Sequence, residues 1–148
     1  MEIITATLRD LNALRKLDRI CFDKDIWSLF DFIAVLSFPD VVRLKAVEDD
    51  AMVGFVAGDP RPSQGFSWIA NISVHPDYRR RGIARALLRA CERELPTPRY
   101  RLSVRSSNLG AINLYEQEGY HTFDIWKGYY NDGESAIVME KSREPDGL

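Results

Sequence analysis

The fold of this chain is decided by the segment Val74-His75-Pro76-Asp77-Tyr78-Arg79-Arg80-Arg81-Gly82-Ile83-Ala84. An apolar run over residues 66–74 leads into it. A helical pattern follows, with apolar side chains on one face at Ile83, Leu87, Leu88, Cys91 and Leu95. A helix that begins after a basic turn directs its unpaired backbone N–H groups and the positive end of its dipole into that turn. The segment therefore predicts a strand, an anion-binding turn suited to a pyrophosphate, and a helix.

The composition indicates one compact domain. The chain has 148 residues, of which 45% are hydrophobic, and this suffices for a single buried core. We expect that domain to cover residues 1–141, followed by a polar tail over residues 142–148. The formal charge of −2 makes the arginine-rich turn a local feature and argues against a nucleic-acid partner.

The sequence carries no pattern for a metal site or a membrane segment. Cys21 and Cys91 both fall on apolar stripes of predicted helices, which favours reduced, buried thiols, and no zinc-ligand spacing occurs. The first residues lack the charged-then-apolar pattern of a secretion signal, and no apolar run approaches the ~20 residues that a membrane helix needs. We therefore expect a cytoplasmic protein without a membrane partner.

Apolar periodicity predicts a mixed α/β chain. The predicted strands cover residues 3–8, 41–48, 52–58, 66–74, 100–104, 120–126 and 135–140, and the predicted helices cover residues 10–22, 28–36, 83–95 and 109–118. Three local signals support these bounds. They are a capping box at Ser28 and Asp31, a hairpin turn through Asp49 and Asp50, and a helix-ending glycine at Gly119.

Three blocks of sequence together resemble one family. The first is Arg79-x-x-Gly82-x-Ala84, and the second joins Leu102-Ser103-Val104-Arg105-Ser106-Ser107-Asn108 to Ala111-Ile112-Asn113-Leu114-Tyr115-Glu116 and Glu118-Gly119-Tyr120. The third is Tyr129-Tyr130 followed by Asp132-Gly133-Glu134-x-Ala136-x-x-Met139. In this order and spacing the blocks resemble the GNAT superfamily of acetyltransferases, and within it the RimI-type ribosomal-protein N-terminal acetyltransferases. Residues 1–60 match only in their pattern of elements.

The resemblance implies the GNAT fold, with three α/β/α layers around a mixed, mostly antiparallel sheet whose two central strands, 66–74 and 100–104, splay apart at one end. It also implies acetyl-CoA as co-substrate, with the pantetheine arm bonded like an extra strand to the first central strand. A backbone N–H in the strand that ends at Val74 would polarise the thioester carbonyl. The implied cofactor-binding residues are Ile72, Ser73, Val74, Arg79, Arg80, Arg81, Gly82, Ile83, Ala84, Arg85, Asn108 and Tyr115.

Tyr115 is the predicted acid for the departing thiolate, and Asn108 is a predicted cofactor contact. Tyr115 lies seven residues after Asn108. Seven helical steps of ~100° come within ~20° of two full turns, so the two side chains share one helix face. Each has a plainer alternative, which is a core aromatic for Tyr115 and a helix N-cap for Asn108.

The general base is where the sequence departs from the family pattern. RimI-type enzymes carry a glutamate on the strand before the Asn-led helix, and the aligned position is Ser103. A serine hydroxyl is no base near neutral pH, although it can position a water molecule. The candidate substitutes are Asp23, Asp25, Asp124, Glu134 and His121, each with an ordinary surface residue as the alternative, and the sequence does not choose among them.

The missing glutamate affects which kind of amine can serve as the acceptor. An α-amino group with a pKa near 7.8 is about one-third neutral at pH ~7.5, whereas a lysine amine with a pKa near 10.4 is neutral only ~0.1% of the time. A weakened base therefore favours an α-amine. Tyr129 and Tyr130 resemble the substrate hairpin of N-terminal acetyltransferases, with ordinary packing as the alternative.

These features predict an acetyl-CoA-dependent N-acetyltransferase that acts on the α-amine of a protein or peptide N-terminus. One alternative is an acetyltransferase for a small amine such as a polyamine, an amino acid or an aminoglycoside. Another, motivated by Ser103, is a weakly catalytic acyl-CoA-binding regulatory module. The oligomeric state, monomer or homodimer, stays open.

Overall fold

The computed structural model describes residues 1–22 and 24–143. Over these residues the strands are β1 (Glu2–Thr5), β2 (Val42–Glu48), β3 (Ala51–Arg61), β4 (Phe66–Val74), β5 (Arg99–Arg105), β6 (His121–Trp126) and β7 (Ala136–Ser142). The α-helices are α1 (Leu11–Cys21), α2 (Leu29–Ser37), α3 (Ile83–Glu94) and α4 (Leu109–Gln117). Asp23, a candidate base, and residues 144–148 of the predicted tail lie outside the described residues. Within that part of the chain, no helix has both the length and the apolar character needed to cross a membrane.

The strands form one sheet in the order β1-β2-β3-β4-β5-β7-β6. The pairs β1–β2, β2–β3, β5–β7 and β6–β7 are antiparallel, and β4 runs parallel to β5. The parallel ladder joins only residues 66–68 of β4 to residues 99–101 of β5. This confirms the predicted mixed, mostly antiparallel sheet, with a short parallel ladder between its two central strands.

The described residues form two compact units. The first comprises those within Met1–Pro60 and Ile69–Leu95, and the second comprises those within Arg61–Trp68 and Pro96–Leu148. The first three residues of β4 belong to the second unit, and the rest of β4 belongs to the first. The single domain over residues 1–141 stays a prediction.

The first unit is built around helices that pack on β3. One cluster of buried side chains joins α1, α2 and β3: Ala6, Leu14, Leu17, Phe32, Val35, Leu36, Phe55 and Ala57. On α3, the predicted apolar face is buried throughout. Two glycines of β3 permit close approach of α3, because a Cβ would lie 2.9 Å from Leu87 Cδ1 at Gly54 and 2.8 Å from Cys91 Sγ at Gly58. Larger residues at either position would push the helix away from the strand.

Most element ends lie within one or two residues of the predicted ones, and two strand ends differ by three residues. The predicted strand 3–8 stops at Thr5, because Thr7 caps a short 3-10 helix, Leu8–Asp10, in a capping box with Asp10. Strand β3 continues to Arg61, beyond the predicted end at residue 58. The Ser28–Asp31 capping box at α2 is confirmed.

The hairpin turn between β2 and β3 is also confirmed. Asp49 and Asp50 adopt left-handed φ angles of 52° and 62° between the two strands. A two-residue turn of this kind matches the right-handed twist of the strands that it joins.

The second unit contains α4, which ends within one residue of the predicted end. Gly119 has a φ of 96°, and its N–H donates to the Glu116 carbonyl at 3.1 Å. Tyr120 N–H reaches back to the Tyr115 carbonyl at 2.9 Å. This pair of bonds is a Schellman motif, in which a left-handed glycine satisfies the last helical carbonyls.

Candidate functional site

The predicted anion-binding turn lies in the first unit, between β4 and α3. A short 3-10 helix, Pro76–Tyr78, follows His75, whose Nδ1 accepts the Asp77 N–H at 3.1 Å. The Nε of Arg79 donates to the Val74 carbonyl at 3.1 Å and so ties the turn to the strand end. Arg80 has a φ of 65°, which is rare for a residue with a side chain and concentrates at functional sites. The turn is therefore a strained, specifically shaped backbone segment.

Gly82 completes the turn as the N-cap of α3. Its φ is 78°, and a Cβ built there would meet no atom within 4 Å. Because the N-cap residue is a glycine, it has no side chain that could cap the first N–H groups of α3. Left-handed residues beside a helix start form a concave set of N–H groups that suits an anion. The geometry thus fits a pyrophosphate, with the arginine-rich turn as a source of positive charge.

The end of β4 is held by two side chains of the same unit. The Val74 carbonyl accepts from Cys21 Sγ at 3.3 Å as well as from Arg79. Ser73 and Val74 are buried, and Ile72 is half-buried. Burial raises the pKa of the Cys21 thiol. This thiol is therefore a packing group and hydrogen-bond donor that fixes the strand end.

Asp18 is a buried acid that the sequence interpretation missed. It is only 1% exposed, and its Oδ2 accepts the Trp27 N–H at 3.1 Å. Burial raises its pKa, and hydrogen bonds from Trp27 and from the Asn71 side chain oppose that shift. The signal was available, because residue 18 lies one turn after Leu14 on the buried face of α1. Asp18 anchors the segment before α2.

Tyr115 and Asn108 lie in the second unit, on α4 and at its start. Tyr115 is 7% exposed, and burial raises its pKa to about 12, which keeps the phenol protonated at neutral pH. Asn108 Oδ1 accepts the Ala111 N–H at 3.2 Å, which is the N-cap role. The cofactor contact of Asn108 and the acid role of Tyr115 stay predictions.

Ser103 is exposed on β5 and shares a sheet face with a carboxylate. It pairs with Val138 on β7, and Val138 pairs with Asp124 on β6. Directly paired residues of antiparallel strands point to the same face. The Asp124 carboxylate accepts the Ile125 N–H at 2.8 Å and the Trp126 Nε1–H at 3.2 Å. Of the candidate bases, strand pairing places both Asp124 and His121 on the face of Ser103, since His121 pairs with Glu140 and Glu140 pairs with Arg101, two residues before Ser103.

A row of aromatic rings leads to the predicted substrate residues, Tyr129 and Tyr130. The ring centroids are 5.9 Å apart between Trp68 and Trp126, 5.1 Å between Trp126 and Tyr129, and 5.1 Å between Tyr129 and Tyr130. Tyr129 is 56% exposed despite these contacts. An exposed aromatic side chain on a supported row can pack against a ligand.

Glu134 is bound too tightly to act as a base. Ser107 and Arg105 hydrogen-bond its carboxylate and lower its pKa to about 2. A carboxylate with so low a pKa accepts a proton poorly near neutral pH. Asp25 and His121, the remaining described candidates, are exposed.

Comparisons with known proteins agree with this arrangement. An N-alpha-acetyltransferase of Saccharolobus solfataricus is 30% identical over 92% of this chain and 89% of its own length. The crystal structure of the ribosomal-protein-S18-alanine N-acetyltransferase from Escherichia coli superposes with a TM-score of 0.86 and 29% identity, covering 99% of this chain and 97% of that one. Arabidopsis thaliana NAA60 in complex with acetyl-CoA shares the fold, with a TM-score of 0.83 and 22% identity over 95% and 97% of the two chains.

The family is shown by the extent of the match. Residues 11–120 match the Acetyltransferase (GNAT) family, and this range contains both the turn before α3 and the Tyr115 helix. GNAT enzymes use acetyl-CoA as the acetyl donor. The chain therefore belongs to the GNAT family and is an acetyl-CoA-dependent N-acetyltransferase of the RimI-like type.

Proposed function

We propose that the acceptor is the α-amine of a protein or peptide N-terminus. The observation that carries this proposal is the state of Glu134. Its carboxylate is held by Ser107 and Arg105 with a pKa of about 2, and Ser103 supplies no carboxylate of its own. An amine that is already partly neutral at physiological pH needs the least help from a base, and an α-amine meets that condition. The names of the relatives described above point the same way.

The turn before α3 would hold the donor through its phosphates. Backbone N–H groups around Gly82 and the start of α3 would bind the pyrophosphate, and Arg79, Arg80, Arg81 and Arg85 would add positive charge. Main-chain groups of Ile72, Ser73 and Val74 would align the pantetheine arm, as in strand addition. The Val74 carbonyl already accepts hydrogen bonds from Cys21 and Arg79, so the proposal assigns this task to the Val74 N–H.

Tyr115 and Ser103 would carry the proton movements. Acetyl-CoA supplies the acetyl group as a thioester, whose C–S bond breaks as the acceptor nitrogen forms the new C–N bond. The Tyr115 hydroxyl, which is protonated at neutral pH as in any tyrosine, would donate to the departing sulfur. The exposed Ser103 hydroxyl would position a water molecule that takes the amine proton, with the candidate bases Asp124 and His121 on the same sheet face by register.

The small-amine alternative makes a different demand on the hairpin. A polyamine or aminoglycoside carries several positive charges and needs unpaired carboxylates around its site. The hairpin carboxylates, Asp132 and Glu134, are both paired with Arg105. A peptide N-terminus has one charge to neutralise, and the aromatic row ending at Tyr129 offers apolar contact for its first side chains.

An acetyl-transfer screen tests the proposal. The purified protein is given acetyl-CoA and either N-terminal peptides or small amines, and free CoA is measured. We expect turnover with peptides that have a free N-terminus. We expect none with Nα-blocked peptides of the same sequence, because a blocked peptide has no α-amine. Turnover confined to polyamines, amino acids or aminoglycosides would contradict the proposal. Absence of turnover with every amine would favour the acyl-CoA-binding module.

A further inference from the structure

The hairpin that carries Tyr129 and Tyr130 is joined to β5 by one arginine. The Nη1 atom of Arg105 lies 2.9 Å from Asp132 Oδ2 and 2.8 Å from Glu134 Oε1. Its guanidinium carbon lies 4.0 Å from the centroid of the Tyr130 ring. The Arg105 side chain is only 16% exposed, so both ion pairs are partly shielded from water. We call Arg105, Asp132 and Glu134 the Arg105 clasp.

The clasp also reaches the start of α4. The second carboxylate oxygen of Glu134, Oε2, accepts the Ser107 N–H at 2.8 Å and the Ser106 hydroxyl at 3.3 Å. Ser106 N–H in turn donates to the Ser135 carbonyl at 3.1 Å. One side chain therefore bonds the hairpin to the residues that begin the Tyr115 helix. A negative charge at a helix N-terminus is itself favourable.

The hairpin contains two glycines, which make it costly to hold in one conformation. Gly128 and Gly133 have φ values of 63° and 88° and bracket the tyrosine pair. Glycine loses more conformational freedom on ordering than other residues, so a hairpin with two glycines is costly to hold in one shape. Two backbone hydrogen bonds lie within it, from Tyr130 N–H to the Glu134 carbonyl at 3.1 Å and from Gly133 N–H to the Tyr130 carbonyl at 2.9 Å.

We propose that the Arg105 clasp positions the acceptor hairpin, fixing Tyr129 and Tyr130 relative to the helix that carries Tyr115. The proposal rests on the proposed function, because it assigns the hairpin to the acceptor. Arg105, Asp132 and Glu134 are positioning residues that act through the two tyrosines. Without the clasp, the hairpin samples more conformations, and the acceptor meets its contacts in only a fraction of them.

The chain contains a matched control. Arg101, on the same strand as Arg105, forms an ion pair with Glu140 on β7 at 2.7 Å. Its guanidinium also lies over aromatic rings, 4.1 Å from Phe66 and 4.2 Å from Phe123. This second pair has the same chemistry and an arginine on the same strand, but its carboxylate lies on β7 and not in the hairpin. Breaking this second pair shows what the loss of any arginine ion pair on β5 does, and so distinguishes that effect from the loss of the clasp.

The experiment compares Glu134→Ala and Glu140→Ala by two measurements, the peptide KM and the amide hydrogen exchange of residues 128–135. For Glu134→Ala we expect the peptide KM to rise roughly tenfold with little change in acetyl-CoA affinity, together with faster exchange in the hairpin. For Glu140→Ala we expect neither change. Glu134→Gln, which keeps an oxygen for the Ser107 N–H, should lie between parent and Glu134→Ala.

The outcomes that overturn the proposal are distinct. An unchanged peptide KM in Glu134→Ala, or the same rise in Glu140→Ala, removes the positioning role. If Glu134→Ala fails to fold, Asp132→Ala leaves the Glu134 pair intact and should raise KM and hairpin exchange by a smaller factor, and no change in either overturns the clasp. A parent protein that acetylates small amines and no peptide overturns the proposed function, and hydrogen exchange still reports whether the clasp holds the hairpin.

Discussion

The ring of Tyr115 meets the ring of Tyr120 edge-on, with their centroids 6.0 Å apart, and Tyr120 N–H donates to the Tyr115 carbonyl. Both side chains are buried, at 7% and 2% exposed. The Schellman motif at Gly119 creates this contact, because it turns the chain sharply enough to place the residue after the helix beside its last buried ring. The two tyrosines are thus a matched pair for testing the role predicted for the Tyr115 hydroxyl.

We expect Tyr115→Phe to lower kcat by roughly 10- to 1000-fold with acetyl-CoA affinity little changed, because the proposed mechanism has this hydroxyl stabilise the departing thiolate. Tyr120→Phe is the control, since it removes a hydroxyl from the ring in contact. It should leave kcat near the parent value. Steady-state kinetics with a peptide acceptor and calorimetric binding of acetyl-CoA measure both. Full activity in Tyr115→Phe would remove this residue from the mechanism.

Gly82→Leu should weaken acetyl-CoA binding more than Gly82→Ala does. Both variants place a side chain at a φ of 78°, so both carry the strain of a left-handed residue, about 1–2 kcal/mol. Only leucine extends far into the open space beside the turn, where the predicted phosphates lie. Titration calorimetry of the two variants isolates that difference. Parent-like affinity in Gly82→Leu would place the donor phosphates elsewhere.

Ser103→Ala should have a modest effect on kcat/KM, while Ser103→Glu should raise the rate on the acidic side of the pH profile. The side chain is exposed, so a carboxylate fits without burial of its charge. An added base helps most where the amine is mostly protonated, so the gain should be larger for a lysine-like amine than for an α-amine. Profiles of kcat/KM against pH for the parent and both variants show whether the added carboxylate raises the rate at low pH. Loss of all activity in Ser103→Ala would make the hydroxyl essential.

The stability contribution of Glu134 should depend on pH in a defined direction. Its folded-state pKa is about 2, below the ordinary value of 4.5, because Ser107 and Arg105 bind the ionised form. A lowered pKa stabilises the fold above the unfolded-state pKa, and this stability disappears as the pH falls through the folded-state value. Parent and Glu134→Gln should therefore differ in Tm at pH ~6 and converge near pH ~2. A Tm difference between parent and Glu134→Gln that stays constant from pH ~6 to pH ~2 would contradict the lowered pKa of Glu134.

Asp49→Asn combined with Asp50→Gly should stabilise the protein. Both positions have left-handed φ angles, and Asn-Gly is the favoured pair for a two-residue turn of this kind. We expect the free energy of unfolding to rise by about 1 kcal/mol, which for this length raises Tm by ~2–4 °C. Asp50→Ala should lower Tm, because alanine tolerates that φ poorly. Thermal denaturation of the three proteins tests the turn geometry.

The candidate site divides between features that were predictable and features that were not. The turn before α3, the Ser28 cap and Gly119 were predictable, because helix starts and ends depend on residues within one turn of each other. Asn108 was left open between two roles, and its bond to Ala111 supplies the capping one. Glu134 was a candidate base, and its bonds to Arg105 and Ser107 make it a structural anion instead.

The sequence by itself determined the α/β class, the turn before α3 and the family, because these depend on local periodicity and on three short blocks of sequence. Only the tertiary structure decided which charges meet. Arg105 and Glu134 are 29 residues apart in the chain, and they touch because Arg105 pairs with Ala136 in the β5–β7 register. Asp18 likewise became a buried anchor only when Asn71 and Trp27 packed around it. A side chain's pKa and partners depend on burial and on strand register, and neither is a property of the residues beside it in the sequence.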